Sequence, residues 1–141
     1  MKKYLLYLLI ISVVLIFSAC SKNTTASEIN LAQQFLSNKT WYLDYTQTIK
    51  ATGTSTKTYL GQSTYFINFL NDFTTQDSDG LNGTYSVEKI NGQLQIHVQA
   101  KTGNANSLEY IYNIETVGTR NLILYYSISD QTIKQFYSNN K

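Results

Sequence analysis

Apolar and polar residues alternate along most of the chain after residue 40. Leu94, Ile96 and Val98 alternate with polar residues, and the same two-residue period recurs in short stretches from Trp41 onward. Successive side chains of a β-strand point to opposite faces, so this alternation indicates one buried face and one wet face. That arrangement is typical of antiparallel sheets rather than parallel ones.

Turn signals separate these stretches. Asn91-Gly92 is a strong hairpin signal, because both residues tolerate the positive φ of a type I′ turn. Further breaks fall at 103–106, 118–121 and 129–131, and the chain has no proline that would keep a strand from pairing on both sides. With a weak strand at 56–60, we count about eight strands. The sequence therefore predicts an all-β, antiparallel up-and-down meander closed into an eight-stranded barrel.

One helix is predicted before the first strand. Thr25 and Glu28 have the spacing of a capping box, in which each side chain satisfies an unpaired backbone amide of the other residue. Ile29, Ala32 and Leu36 then recur at helical spacing and form an apolar stripe. We expect a short amphipathic helix over 26–37 that packs on its own domain, so that 26–141 form one unit.

The first twenty residues have the features of an export signal. Lys2 and Lys3 precede an uncharged, apolar run over 4–17, which is followed by Ser18, Ala19 and Cys20. The run is shorter than the roughly 20 residues that a membrane-spanning helix needs. An uncleaved anchor helix and an ordinary secretory signal are the alternatives.

The segment Phe17-Ser18-Ala19-Cys20 resembles a bacterial lipobox, and it is closest to the looser form of Bacteroidota lipoproteins. The resemblance implies a signal peptide over 1–19, lipid attachment at Cys20 and a polar tether over 20–25. The chain would then be anchored in the outer membrane. Because no acidic cluster follows Cys20, the side facing the periplasm is expected, and surface exposure is the alternative.

Cleavage before Cys20 changes the composition of the chain. It leaves 122 residues, with nine basic and nine acidic side chains. This neutral balance argues against a nucleic-acid partner. A lipid on Cys20, the only cysteine, would also exclude a disulfide and a cysteine-bound metal, so the fold must be stabilised by burial alone.

Two short motifs are similar to the strand openings of lipocalins. They are Lys39-Thr40-Trp41-Tyr42-Leu43, with lysine where that family has glycine, and Gly83-Thr84-Tyr85-Ser86-Val87. The resemblance implies an eight-stranded barrel whose Trp41 plugs one end. It also implies an arginine stacked over that tryptophan, for which Arg120 is the only candidate.

A barrel of eight strands encloses either packed side chains or one small ligand. The aromatic residues that alternation places inward would then line a lumen for a small apolar or amphipathic molecule: Trp41, Tyr45, Tyr85, Tyr110, Tyr112 and Tyr126. The alternative is a filled barrel that acts as an envelope scaffold or protein-interaction module without a small ligand.

Nothing in the sequence favours catalysis. His97 is the only histidine and lies on the polar face of its strand, and Glu109 and Glu115 are too far apart to share acid–base work. The oxygen-rich segment Asp77–Gly83 is better explained as a polar hairpin loop than as a calcium site, since it lacks the distal glutamate of an EF-hand. We therefore expect no enzyme activity, no cofactor and no bound metal.

Overall fold

The computed structural model describes residues 21–59, 65–102 and 106–139. These ranges contain one helix followed by nine strands, all paired antiparallel with their neighbours. In chain order the elements are α1 (Ser21–Leu36), β1 (Lys39–Lys50), β2 (Gly53–Thr58), β3 (Phe66–Phe69), β4 (Thr74–Asp77), β5 (Asn82–Ile90), β6 (Gln93–Thr102), β7 (Asn106–Val117), β8 (Asn121–Ile128) and β9 (Gln131–Ser138).

Eight of the strands close into a barrel. The sheet runs in sequence order from β3 to β9, and β1 joins its two edges by pairing with β3 on one side and with β9 on the other. The up-and-down barrel that the alternation predicts is confirmed. Strand β2 is additional to the eight, and it pairs with the second half of β1.

One end of the barrel is closed by α1. Ala32 and Leu36 are buried in the barrel core, and the Nε1 of Trp41 donates a hydrogen bond of 3.1 Å to the carbonyl oxygen of Leu36. Glu28, one turn before Ala32 on the same side of the helix, forms an ion pair with Lys89 of β5. We call the end at which β1 begins the closed end, and the opposite end the open end.

The helix is longer at its start than the capping box predicts. It begins at Ser21, so Thr25 lies within it instead of capping it. Residues 21–25 contain neither glycine nor proline, and nothing in them stops the helix from extending backwards. Residues 21–25, expected as a tether, are thus helical. In the part of the chain that the structure describes, no helix is long and apolar enough to cross a membrane.

The core fills the closed half of the barrel. Its largest fully buried apolar side chains come from α1 and from strands all round the barrel: Leu36, Trp41, Phe69, Ile96, Val98, Leu122 and Leu124. Burying one such side chain stabilises a fold by roughly 1.5–3 kcal/mol. This half is therefore the main source of stability.

A lysine takes the place expected for the arginine. The Nζ of Lys39 lies 5.4 Å from the ring centre of Trp41 and 5.6 Å from that of Phe35. Arg120 is exposed, and the contact recorded for it is a backbone hydrogen bond from Asn139. The residue at the glycine position of the first motif thus supplies the cation over the tryptophan ring.

Gly92 and Gly83 each occupy a position in β5 or its hairpin that the backbone conformation or a close backbone contact requires. Asn91 and Gly92 both have positive φ, 51° and 83°, as the predicted β5–β6 hairpin turn requires. A Cβ on Gly83 would lie 2.2 Å from the carbonyl oxygen of Gln99, because β5 and β6 approach closely there. The glycine of the second motif is thus required by backbone contact.

Candidate functional site

A cavity of about 840 Å³ opens at the open end of the barrel, between β1, β2, β8 and β9. We call it the mouth cavity. Its lining combines tyrosine rings, hydroxyl groups and a few charged groups: Leu43, Thr46, Thr48, Lys57, Thr58, Tyr59, Tyr65, Asp79, Tyr126, Ile133 and Gln135.

Three strands form most of the cavity wall in successive rows of paired residues. Leu122, Tyr137 and Leu43 make a buried row at the bottom. Leu124, Gln135 and Thr46 form the next row, and Tyr126, Ile133 and Thr48 form the third. The inward residues therefore change from apolar and packed to partly polar and open within two rows.

A β-bulge at Asp44 places the threonines in the wall. The pairing of β1 with β9 shifts between Leu43 and Tyr45, so the inward positions after the bulge are Thr46 and Thr48. Tyr45, expected to face inward, lies on the outer face and stacks on Phe136 with ring centres 4.1 Å apart. The prediction was wrong here because simple alternation does not count the extra residue of a bulge.

The floor of the cavity contains an unsatisfied acceptor. The Oε1 atom of Gln135 is buried and has no hydrogen-bond partner among the residues that the structure describes. Leaving such an atom unpaired costs roughly 1–3 kcal/mol. Buried polar atoms usually have a partner, so this oxygen is available to accept a hydrogen bond.

Tyrosine hydroxyls surround this floor. The hydroxyl of Tyr65 donates to Oδ2 of Asp77 at 3.1 Å, and the rings of Tyr112 and Tyr126 meet edge to face at 5.7 Å. Burial raises the pKa of Tyr112 to about 12, and raises the pKa of Tyr65 and Tyr137 well above the ordinary value of 10.0. These hydroxyls therefore stay protonated at neutral pH and can donate hydrogen bonds.

Two of the predicted lumen residues lie in the filled half instead. Trp41 is completely buried beneath the cavity. Tyr85 is also buried, and its hydroxyl donates to the carbonyl oxygen of Leu70 at 3.0 Å and lies 3.4 Å from the hydroxyl of Ser37. Both side chains face inward, but neither lines the mouth cavity.

The other predicted residues lie near the mouth. Tyr126 lines the cavity, and Tyr112 packs beside it. Tyr110 is 38% exposed on the rim, with Leu108 and Ile128, which are exposed by 48% and 50%. The pairing of β7 with β8 begins only at Asn113 and Tyr125. The rim is therefore apolar where β7 and β8 are no longer paired with each other.

Several lining residues could not be recognised from the sequence. Gln135, Thr46 and Thr48 are polar, and they belong to the cavity only because of strand register and the bulge. Tyr65 is different, because it shares a two-residue alternation with Ile67 and Phe69. An aromatic residue at such a position was the available signal.

Asp77 has a structural role in the oxygen-rich segment. Its Oδ1 accepts hydrogen bonds of 2.9 Å from the backbone amides of Asp79 and Leu81, which closes the β4–β5 turn, while Oδ2 accepts from Tyr65.

His97 lies on the outer face, where its Nδ1 is 3.3 Å from Oε1 of Glu109. Among the described residues, no group of three or more histidine, cysteine, aspartate or glutamate side chains is placed to hold a metal ion.

Cys20 and the predicted signal peptide over 1–19 lie outside the described residues. Comparison with protein-family models, with curated proteins and with solved structures finds no match to the chain.

Proposed function

We propose that the protein is a lipid-anchored envelope lipoprotein whose barrel binds a small amphipathic molecule in the mouth cavity. The supporting observation is an open cavity of about 840 Å³, at whose floor the buried Oε1 of Gln135 has no hydrogen-bond partner among the described residues. Pockets for small ligands have volumes of roughly 300–1,000 Å³ and combine apolar walls with a few polar groups.

The lining favours an amphipathic ligand over a purely apolar one. Leu43, Ile133 and the ring of Tyr126 offer apolar contact, whereas Gln135 and Thr46 offer hydrogen bonds from the second row. A hydrocarbon alone would leave the Gln135 oxygen unpaired. A molecule with a hydroxyl or amide donor at one end would satisfy it.

The export signal in the first twenty residues supports lipid attachment at Cys20. Cys20 directly precedes α1, and α1 packs on the closed end of the barrel. A lipid on Cys20 would therefore attach on the closed side, and the mouth cavity would face away from the bilayer. In this orientation ligands enter from the aqueous side.

Ligand binding can be tested with N-phenyl-1-naphthylamine, an apolar fluorescent probe with one N–H donor. The full chain is placed in lipid nanodiscs, and the signal of empty nanodiscs is subtracted. We expect one saturable site per chain. Thr48→Trp should abolish it by filling the cavity, whereas Gln47→Trp, one residue away on the outer face, should leave it unchanged.

Equal binding by both tryptophan variants, or no saturable signal in the parent chain, would contradict the proposal. Trp41 is not a suitable reporter, because it is buried in the filled half. The remaining hypothesis would then be the ligandless barrel that acts as a scaffold or protein-interaction module.

Lipid attachment is tested separately by intact mass and cell fractionation. We expect a mature chain that begins at Cys20, with a mass increase from bound acyl chains, in the membrane fraction. Cys20→Ala should lose the added mass. A parent chain that begins at Cys20 without any added mass would contradict the anchor, whatever the result for the cavity.

A further inference from the structure

The closed end has a second groove, separate from the mouth cavity. It lies between α1 and the turn that joins β3 to β4, and its volume is about 440 Å³. Five carboxamide side chains and one aromatic ring form most of its lining: Asn30, Gln33, Gln34, Asn38, Asn71 and Phe73.

Phe73 has an unfavourable backbone conformation. Its φ is 62°, in the left-handed region, where a bulky residue is rare and glycine or asparagine fits without strain. The turn is held by hydrogen bonds from the amide of Phe73 to the carbonyl of Leu70, at 3.2 Å, and from the amide of Tyr85 to the carbonyl of Phe73, at 2.8 Å. The strain is therefore built into the fold.

The strain is not explained by burial of the ring. Phe73 is 49% exposed, and its contact with Tyr85 is a tilted one with ring centres 5.9 Å apart. A glycine here would relieve the backbone and expose less apolar surface. A strained conformation that persists at the surface is a reason to look for a function.

The groove presents hydrogen-bonding groups without charge. None of the five carboxamides makes a side-chain hydrogen bond to another described residue, and no charged side chain lines the groove within the described ranges. Asp72, in the same turn, is engaged with the amide and hydroxyl of Thr74. The groove therefore selects for neutral polar ligands.

Carboxamides and an exposed ring match the chemistry of sugars. Each carboxamide is both a donor and an acceptor, and so is each sugar hydroxyl. The face of an aromatic ring is apolar and suits the C–H face of a pyranose. We propose that this groove binds a neutral carbohydrate, with the ring of Phe73 as its stacking surface and the amides of Gln33 and Asn71 among its polar contacts.

The test uses the full chain in lipid nanodiscs and saturation-transfer difference NMR. The probes are maltotriose, cellotriose, mannotriose and N,N′,N″-triacetylchitotriose, with empty nanodiscs as background. We expect transfer to the ring protons of at least one trisaccharide. Phe73→Ala should weaken its binding by at least about tenfold, and Gln33→Ala should weaken it by a smaller factor.

Matched controls come from the outer face of the barrel. Ile111 is exposed by 45%, and Gln99 is an exposed glutamine of β6. Ile111→Ala and Gln99→Ala should leave trisaccharide binding unchanged. Absence of transfer from every probe, or equal transfer in the parent chain and Phe73→Ala, would overturn the proposal.

Phe73→Gly separates binding from folding. It removes the ring and relieves the backbone, so we expect a higher melting temperature together with loss of trisaccharide binding. A lower melting temperature would show that the ring is needed for packing, which would contradict a binding role as the reason for its position. Neither readout depends on the mouth cavity or on the lipid anchor.

Discussion

The two halves of the barrel are built from the same strands, yet one is packed and the other is open. Along β8, Leu122 and Leu124 are almost completely buried, whereas Ile128 is 50% exposed at the rim. Along β1, Trp41 and Leu43 are followed inward by Thr46 and Thr48. Strands β8, β9 and β1 stay paired through both halves, so along this wall the size of the inward side chains decides whether the barrel is filled.

This contrast bears on the two hypotheses that the sequence left open. The closed half is packed as a filled barrel would be, and the open half contains the cavity that a ligand-binding barrel would need. The closed half uses large apolar side chains and α1 to stabilise the fold. The open half can then have polar walls, because the closed half contains most of the buried apolar core.

The largest expected change in the free energy of unfolding comes from truncating a core leucine, and truncating a wall residue is its comparison. Leu122→Ala should lower the free energy of unfolding by about 2–5 kcal/mol, because Leu122 is completely buried. Ile133→Ala, in the cavity wall, should cost only about 1 kcal/mol. Urea denaturation followed by circular dichroism measures both, and equal losses would break the distinction between the halves.

The next largest loss of stability is expected in the open half, at a glycine in close backbone contact. The closed half is therefore not the only part of the barrel in which a substitution is costly. Gly83 lies in the open half of β5, yet Gly83→Ala should cost about 1–3 kcal/mol, because its Cβ would meet the carbonyl oxygen of Gln99. Gly118→Ala is the control, since its Cβ would lie 3.9 Å from the nearest atom. Thermal denaturation should show a lower melting temperature for the first variant only.

Alkaline pH should lower the stability of the fold through Tyr65, Tyr112 and Tyr137. Their pKa is raised in the folded state from an ordinary value of 10.0, because burial disfavours the charged phenolate. The unfolded chain therefore releases these protons first. Stability should be fully present below pH 10 and fall above it, by about 1.4 kcal/mol per pH unit for each proton difference.

Tyr112→Phe tests this assignment, because it removes one of the titrating groups. Its free energy of unfolding should fall less steeply between pH 10 and pH 12 than that of the parent chain, in urea denaturation at each pH. An unchanged slope would exclude Tyr112 from the alkaline transition.

The smallest effect should be found in the cavity wall. Thr48→Val keeps the shape of the side chain and removes a hydroxyl from an open wall, so the free energy of unfolding should change by less than about 0.5 kcal/mol. The affinity for N-phenyl-1-naphthylamine should nevertheless change. A large loss of stability would show that Thr48 belongs to the packed core.

The barrel could be predicted from the sequence because its signals are local. Two-residue alternation identifies most strands, and Asn91-Gly92 identifies one hairpin. Strand β4 was missed because Thr74–Asp77 contains no apolar residue. It is a strand only through its pairing with β3 and β5, which depends on contacts distant in sequence.

The candidate site was less predictable because it depends on register. One bulged residue, Asp44, turns Tyr45 outward and brings Thr46 into the wall. No residue type near Asp44 predicts this change of register. The positive φ of Phe73 could not be predicted either, because a phenylalanine rarely adopts that conformation.

Strand β2 has a consequence for how copies of this protein behave at high concentration. Of the described strands, only β1 pairs with β2, and every residue from Gly53 to Thr58 is exposed. Such an edge invites aggregation when it is apolar. This one consists of small polar residues and Lys57, so a second chain docked along it would bury no apolar surface and would bring two ammonium groups together. The polar edge of β2 therefore lacks the apolar residues that make exposed strand edges prone to aggregation.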